Sequence, residues 1–259
     1  MFSISFIPAF KDNYIWLLTR GQRASVVDPG DATPVLARLE AEGLTLESIL
    51  ITHHHADHQG GVTALVERWQ PTVYAPAVES ITGCNHALSG GELINVLGQA
   101  VEVLAVPGHT SGHLAYLAPG ALFCGDTLFG AGCGRLFEGT AAQMSASLDR
   151  LAALPDETRV YCAHEYTEMN LRFALAVEPD NPALRRRVAE VTARRSAGLP
   201  SVPSTLAEEK ATNPFLRCAE PAVIAAALKH GAGGDFSNAA VNLKKADIFA
   251  AIRLWRNEF

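Results

Sequence analysis

Up to about residue 165 the chain alternates short apolar runs with turn formers, and beyond that point its apolar positions take on helical spacing. Ser3–Ile7, Tyr14–Leu18 and Ala24–Asp28 read as successive strands, the last running into the turn Asp28-Pro29-Gly30. Thr33–Glu42 has the helical period, with Pro34 in the first turn, where a missing N–H is tolerated. Glu47–Thr52 gives another strand and Gly61–Trp69 another helix. Thr72–Ala75, Val101–Val106, His113–Leu117, Ala121–Cys124 and Arg159–Cys162 bring the strands to about nine, and Thr140–Leu154, capped by Thr140, adds a third helix. After these come the helical stretches Glu165–Val177, Pro182–Ala197, Pro221–His230 and Ser237–Trp255, punctuated by prolines. The expected arrangement is two sheets covered by helices, then an all-helical part, with a domain boundary near residue 165.

Composition narrows the setting. No apolar run approaches the ~18–20 residues of a membrane span. Met1–Phe10 is apolar but lacks a basic leader and a small-residue cleavage site, so it reads as a strand and not a signal peptide. The five cysteines are odd in number, widely spaced and free of C-x-x-C, which fits free thiols in a reducing compartment, so the cytoplasm is the expected location. Residues 1–165 hold 8 Lys+Arg and 17 Asp+Glu, a formal −9, whereas residues 166–259 hold 13 and 10, a formal +3. Eight of the nine histidines lie in the first part. An acidic, His-rich part suits bound cations, and a basic tail suits an anionic small molecule. With a net charge of −6 and no basic stripe, nucleic acid is not an expected partner. A monomer acting on a small-molecule substrate is expected.

The chemistry is concentrated in Thr52-His53-His54-His55-Ala56-Asp57-His58, directly after the apolar Ser48–Ile51. Alternate residues leaving a strand point the same way, so His53 and His55 share a direction, and Asp57 and His58 follow one turn later. Imidazole with carboxylate suits zinc, iron or manganese, whereas calcium or magnesium wants oxygen ligands. Three more candidates follow predicted strands: His109 after Val101–Val106, Asp126 after Ala121–Cys124 and His164 after Arg159–Cys162. Seven ligands suit two divalent ions if Asp126 is shared, with His53, His55 and His109 on one and Asp57, His58 and His164 on the other. His54 points away from its neighbours as a supporting residue, His113 packs, and His86 and His230 carry no chemistry. Asp28 either bonds a ligand or caps its own turn.

These residues resemble the metallo-β-lactamase superfamily, and more closely its glyoxalase II (hydroxyacylglutathione hydrolase) family. The closer likeness rests on Asp12-Asn13-Tyr14, Gly125-Asp126-Thr127-Leu128-Phe129, Gly132-Cys133-Gly134-Arg135, Glu138-Gly139-Thr140 and Ala163-His164-Glu165-Tyr166-Thr167. It continues through Pro203-Ser204-Thr205-Leu206, Glu208-Glu209 and Asn213-Pro214-Phe215-Leu216-Arg217, and so spans nearly the whole chain. The resemblance implies an α/β fold, an αββα sandwich over residues 1–165, with a helical substrate domain over 166–259. It implies hydrolysis of S-(2-hydroxyacyl)glutathione, such as S-lactoylglutathione, to glutathione and a 2-hydroxy acid, the second step of methylglyoxal detoxification. Asp57 and Asp126 would be catalytic, and Arg135, Phe137, Tyr166, Arg253 and Arg256 would contact substrate. The chain departs from the family in having Phe137 where Tyr is frequent, and Arg256-Asn257 in place of Lys-Asp.

Elementary chemistry points the same way. Water activated by two cations near neutral pH attacks a carbonyl. A thiolate whose thiol has a pKa of about 8.5 departs without a general acid, whereas an amide nitrogen needs one, and no spare acid is visible. There is no G-x-S-x-G elbow for serine catalysis. Three alternatives remain. A persulfide dioxygenase-like enzyme with one iron would leave Asp57, His58 and His164 without a role. A β-lactamase or lactonase would not need the basic tail. A non-enzymatic metal-binding module would need closed metal shells.

Overall fold

A computed structural model describes residues 1–230 and 244–259, so the beginning of the helix expected over Ser237–Trp255 lies outside the described residues. In the first half, β1 (Ser3–Ala9), β2 (Asn13–Arg20), β3 (Arg23–Val27), α1 (Ala32–Ala41), β4 (Thr45–Leu50), α2 (Ala56–Gln59), α3 (Val62–Trp69), β5 (Thr72–Pro76) and β6 (His86–Leu88) follow one another. Their strands form one six-stranded sheet in sequence order. A second six-stranded sheet, ordered β14-β13-β10-β9-β8-β7, draws on elements farther along the chain. These are β7 (Leu93–Val96), β8 (Gln99–Ala105), β9 (Leu114–Ala118), β10 (Ala121–Gly125), a hairpin of β11 (Leu128–Phe129) and β12 (Gly132–Cys133), α4 (Ala141–Ala152) and β13 (Arg159–Cys162). The rest is α5 (Thr167–Val177), α6 (Pro182–Ser196), β14 (Ser204–Thr205), α7 (Leu206–Thr212), α8 (Pro221–His230) and α9 (Lys245–Glu258).

The expected strands and helices are present with ends shifted by a few residues. The strands beyond the expected nine are the short β6, β7, β11, β12 and β14, too brief to show a period. Alternation along β2 explains the layering. Trp16 and Leu18 enter a core shared by both sheets with Leu50, Val103, Tyr116 and Phe123. Ile15 and Leu17 point oppositely, into a core with Val35 and Leu39 of α1 and Val62 and Leu65 of α3. The result is an αββα sandwich followed by helices. Thr140 caps α4 through a capping box with Gln143.

Strand direction places the site. β8 and β10 are both antiparallel to β9, and β10 is parallel to β13, so β8, β10 and β13 deliver their carboxyl ends to one edge. That edge is stitched to the first sheet. Tyr14 N–H donates to Ala163 O (2.7 Å), Leu114 N–H to Thr52 O (2.9 Å) and the Tyr116 hydroxyl to Ile51 O (2.7 Å).

A buried ion pair anchors the helical part. Arg187 Nη2 lies 2.5 Å from Glu209 Oε1, with both side chains at 2% exposure or less. Glu209 Oε2 also accepts from Ala131 N–H (2.9 Å) in the hairpin and from Asn213 Nδ2 (3.1 Å). Removing one partner strands a charge away from water. Arg187→Ala should therefore lower the unfolding free energy by about 3–5 kcal/mol in urea titrations. A loss below about 1 kcal/mol would mean that water replaces the guanidinium.

Candidate metal centre

The apolar strand β4 ends at Leu50, and the chain leaves it through Thr52, held by Asp28. Asp28 Oδ1 accepts from Thr52 N–H and Oδ2 from the Thr52 hydroxyl, both at 2.8 Å. Asp28 has a left-handed backbone (φ +52°), a region that Asp tolerates better than most residues. The single turn of α2 then sets Asp57 and His58 beside His53. Gly30 permits this approach: a Cβ there would stand 1.9 Å from Asp57 O.

All seven sequence-predicted candidates come together. His53 Nε2 and His109 Nε2 lie 2.9 and 3.0 Å from His55 Nδ1. Opposite them, Asp57 Oδ2 is 3.5 Å from His58 Nε2 and 3.4 Å from His164 Nε2. Asp126 stands between the two groups. Its Oδ1 is 3.5 Å from His58 Nε2 and 3.4 Å from His164 Nε2, while its Oδ2 is 3.4 Å from His109 Nε2. Ligands about 2.0–2.1 Å from a tetrahedral ion sit roughly 3.3 Å apart, so these spacings fit divalent cations. Asp126 Oδ1 and His58 Nε2 are buried without a hydrogen-bond partner, a costly state that a cation would relieve.

Electrostatics divides the two groups. Burial holds His53 well below the usual imidazole range, and lowers His55 and His109, leaving the neutral rings that ligate metals. Burial works against charge on His58 and His164 too, but carboxylates outweigh it. Asp126, Asp28 and Asp57 raise His58, and Asp126, Asp12 and Asp57 raise His164 to about 9. Asp126 resists the upward pull of burial because His58, His164 and His109 hold its carboxyl well below the usual range.

Several supporting residues carry no separate sequence signal. Asp12 Oδ1 lies 2.8 Å from His164 Nδ1, and Asn13 Nδ2 donates to Asp57 Oδ2 (3.0 Å). Such partners fix ring tautomer and orientation. Asp28 Oδ2 is 3.0 Å from His58 Nδ1, so Asp28 orients a candidate ligand as well as its turn. His113 packs, stacked on His53 at 4.6 Å, and its Nε2 also accepts from Asp126 N–H (3.2 Å). His54 turns away toward Glu79 and Glu138. His86 lies against Tyr74, and His230 stacks on Trp255.

Of the substrate-contact candidates, Phe137, Tyr166 and the Arg135 backbone border this cluster, and Arg253 and Arg256 lie on α9 against the hairpin and α5. The exposed Phe137 ring meets His55 and His109 edge-on at 5.4 and 5.2 Å. Tyr166 stacks on His164 at 4.7 Å, and burial followed by the charges of Asp12, Asp126 and Asp57 raises its hydroxyl, which stays protonated. Arg135 O receives His109 Nδ1 at 2.8 Å. Arg253 Nη1 donates to Cys133 O (3.0 Å), and its buried Nε has no partner. Arg256 Nη2 lies 3.4 Å from Asn170 Oδ1, and its guanidinium stands over the Phe173 ring at 5.8 Å. Asn257 Oδ1 accepts from Arg135 (3.5 Å) and Arg253 (3.1 Å). None of the three arginines pairs with a carboxylate among the described residues, and burial followed by the charge of Arg253 lowers Arg256.

An αββα sandwich with this His/Asp cluster on one sheet edge is that of the metallo-beta-lactamase superfamily, whose family model matches residues 10–164. A crystal structure of ETHE1 from Myxococcus xanthus superposes with a TM-score of 0.65 at 28% identity, over 99% of this chain and 98% of that one. A di-iron-bound form of TTHA1623 does so with a TM-score of 0.53 at 31% identity, over 62% and 91%. The model of the hydroxyacylglutathione hydrolase C-terminus matches residues 165–259. A hydroxyacylglutathione hydrolase of Dechloromonas aromatica (strain RCB) is 73% identical over 265 aligned residues, with 100% of both chains covered. The chain belongs to the hydroxyacylglutathione hydrolase family.

His164, raised to about 9, holds a proton at neutral pH in the metal-free protein, and a cation needs that ring neutral. Metal binding at pH 7.5 should therefore release about one proton per chain from His164, and more to the extent that the raised His58 is also charged. Calorimetry in buffers of different ionisation enthalpy measures that number, and no net release would contradict the electrostatics described.

Proposed function

We propose that the chain hydrolyses the thioester of S-(2-hydroxyacyl)glutathiones, with S-lactoylglutathione as substrate, in the second step of methylglyoxal detoxification. One juxtaposition supports this above all: three guanidinium groups, without carboxylate partners among the described residues, gather around the β11–β12 hairpin, whose next residues reach Asp126 and His109 in a centre suited to two cations. Glutathione thioesters carry carboxylates that suit such forks. The family relatives bear the name of this activity.

In this reading His53, His55 and His109 hold one divalent cation, Asp57, His58 and His164 the other, and Asp126 both. Zinc, iron and manganese all suit the donors. The di-iron-bound form of TTHA1623 is in keeping with a two-cation site. Cations bound there polarise a carbonyl and make water nucleophilic near neutral pH. The chain's own groups do the rest. Asp57 and Asp126, both below the usual carboxylate range, stay ionised and are not proton donors. That suits a thiolate leaving group, which departs unprotonated. Tyr166 offers a hydroxyl donor beside His164, and Phe137 an apolar wall beside His55 and His109. Arg135, Arg253 and Arg256 bind the glutathione carboxylates. Residues 1–165 thus carry the chemistry and 166–259 most of the substrate contacts. The free cysteines fit action in the cytoplasm, and the chain needs no second copy for this chemistry. A single-iron persulfide dioxygenase reading leaves Asp57, His58 and His164 without work, although His58 and His164 both face Asp126 and Asp57 faces both of them.

Mixing metal-loaded protein with S-lactoylglutathione should release free thiol at a rate proportional to enzyme, and no release would overturn the proposal. Arg253 also supports the hairpin, so Arg256 gives the cleaner test of binding. A shielded charge-assisted contact contributes about 1.5–3 kcal/mol, so Arg256→Ala should raise KM by roughly 10- to 100-fold. It should change kcat far less, because the contact serves ground and transition states alike. An unchanged KM would place Arg256 outside the binding site.

A further inference from the structure

We infer that His54, Glu79 and Glu138 form a clamp that positions the loop carrying His109, and through it the group of His53, His55 and His109. The inference rests on the proposed role of those three histidines in holding one cation. The loop between β8 and β9 makes few hydrogen bonds of its own, and two carboxylates from elsewhere take its donors. Glu79, on the turn after β5, accepts at Oε1 from the Thr110 hydroxyl (2.5 Å) and Gly112 N–H (2.9 Å). Glu138, ahead of α4, accepts at Oε2 from Ser111 N–H (2.8 Å) and the Ser111 hydroxyl (2.9 Å). The His54 ring joins the two acids, with Nδ1 3.0 Å from Glu79 Oε2 and Nε2 3.2 Å from Glu138 Oε1.

The contact is close. The Glu79 side chain is 2% exposed, and a Cβ on Gly112 would fall 2.6 Å from Glu79 Cγ. A His with two Glu also resembles a third cation site. Here, however, Glu79 Oε1 and Glu138 Oε2 are committed to loop donors, and the His54 ring spans the two remaining oxygens, so the three side chains close on one another and on the loop. The backbone explains why His54 fills this role. It sits between His53 and His55, and strand-like alternation turns it to the opposite side. One short segment therefore supplies two candidate ligands and the bracket that holds the third, His109. The clamp does not touch Asp57, His58 or His164, so its loss should be felt on one side of the centre only.

The test uses the full chain freed of metal and titrated with cobalt(II), with backbone hydrogen exchange measured before metal is added. Glu79→Ala should weaken one of two cobalt equivalents by roughly 10- to 100-fold and leave the other unchanged. It should also speed exchange at Gly112 at least about tenfold while Ala163 and Glu165 keep their protection. Glu79→Gln, which keeps an acceptor oxygen, should restore most of both. His54→Ala breaks only the link between the two acids and provides a milder variant should Glu79→Ala fail to fold. It should give a smaller loss at the same equivalent. Equal weakening of both equivalents, or unchanged Gly112 exchange together with unchanged cobalt binding, would overturn the clamp. Wild-type protein that binds one equivalent would overturn the two-cation reading instead, and Gly112 exchange in the metal-free protein would still decide the clamp.

Discussion

The Asp126 carboxylate is the constraint on which the rest of the structure depends. It is buried and ionised, with one oxygen toward His58 and His164 and the other toward His109. Keeping a charge there without water requires positive or donating groups on every side. The fold supplies them from four strand ends and one helical turn, and binds the Asp126 N–H to His113. Gly134 lets the neighbouring loop close over it, since a Cβ there would meet Asp126 O at 1.9 Å. Such convergence asks that β8, β10 and β13 run the same way and that β4 abut them from the opposite sheet, which is what the αββα sandwich does.

The helical part is tied into the same centre. The Arg187–Glu209 pair holds Ala131 in the hairpin, Arg253 holds Cys133 O two residues on, and Arg135 O receives His109 Nδ1. A single short stretch thus links the basic helix α9 to a candidate metal ligand. Substrate binding on one side and metal geometry on the other therefore share a backbone, and Asn257 leaves the local positive charge uncompensated. The departure from Lys-Asp to Arg256-Asn257 keeps a cation and removes a competing anion.

Much of this was legible in the sequence, for identifiable reasons. His53, His55, Asp57 and His58 showed themselves by strand alternation followed by one helical turn. His109, Asp126 and His164 each followed an apolar run strong enough to read as a strand. Asp12 and Asn13 were legible only as part of a family motif, because their partners lie 152 and 44 residues away and no local period connects them. Glu138 likewise showed only within the motif Glu138-Gly139-Thr140, and Glu79 was silent, an isolated acid on a loop. His113 was read as a packing residue, which holds for its ring face, while its bond to Asp126 depends on a neighbour in another strand. The β11–β12 hairpin escaped because two-residue strands have no period, although it carries the link between the sheets and the helices.

Metal stoichiometry, with the affinity of each equivalent, measures most directly the sharing of Asp126 between two cations. Wild-type protein should take up two divalent ions per chain, and Asp126→Ala should weaken both equivalents together, since one carboxylate serves both. A variant that loses one equivalent and binds the other as tightly as wild type would assign Asp126 to a single ion and contradict the shared centre.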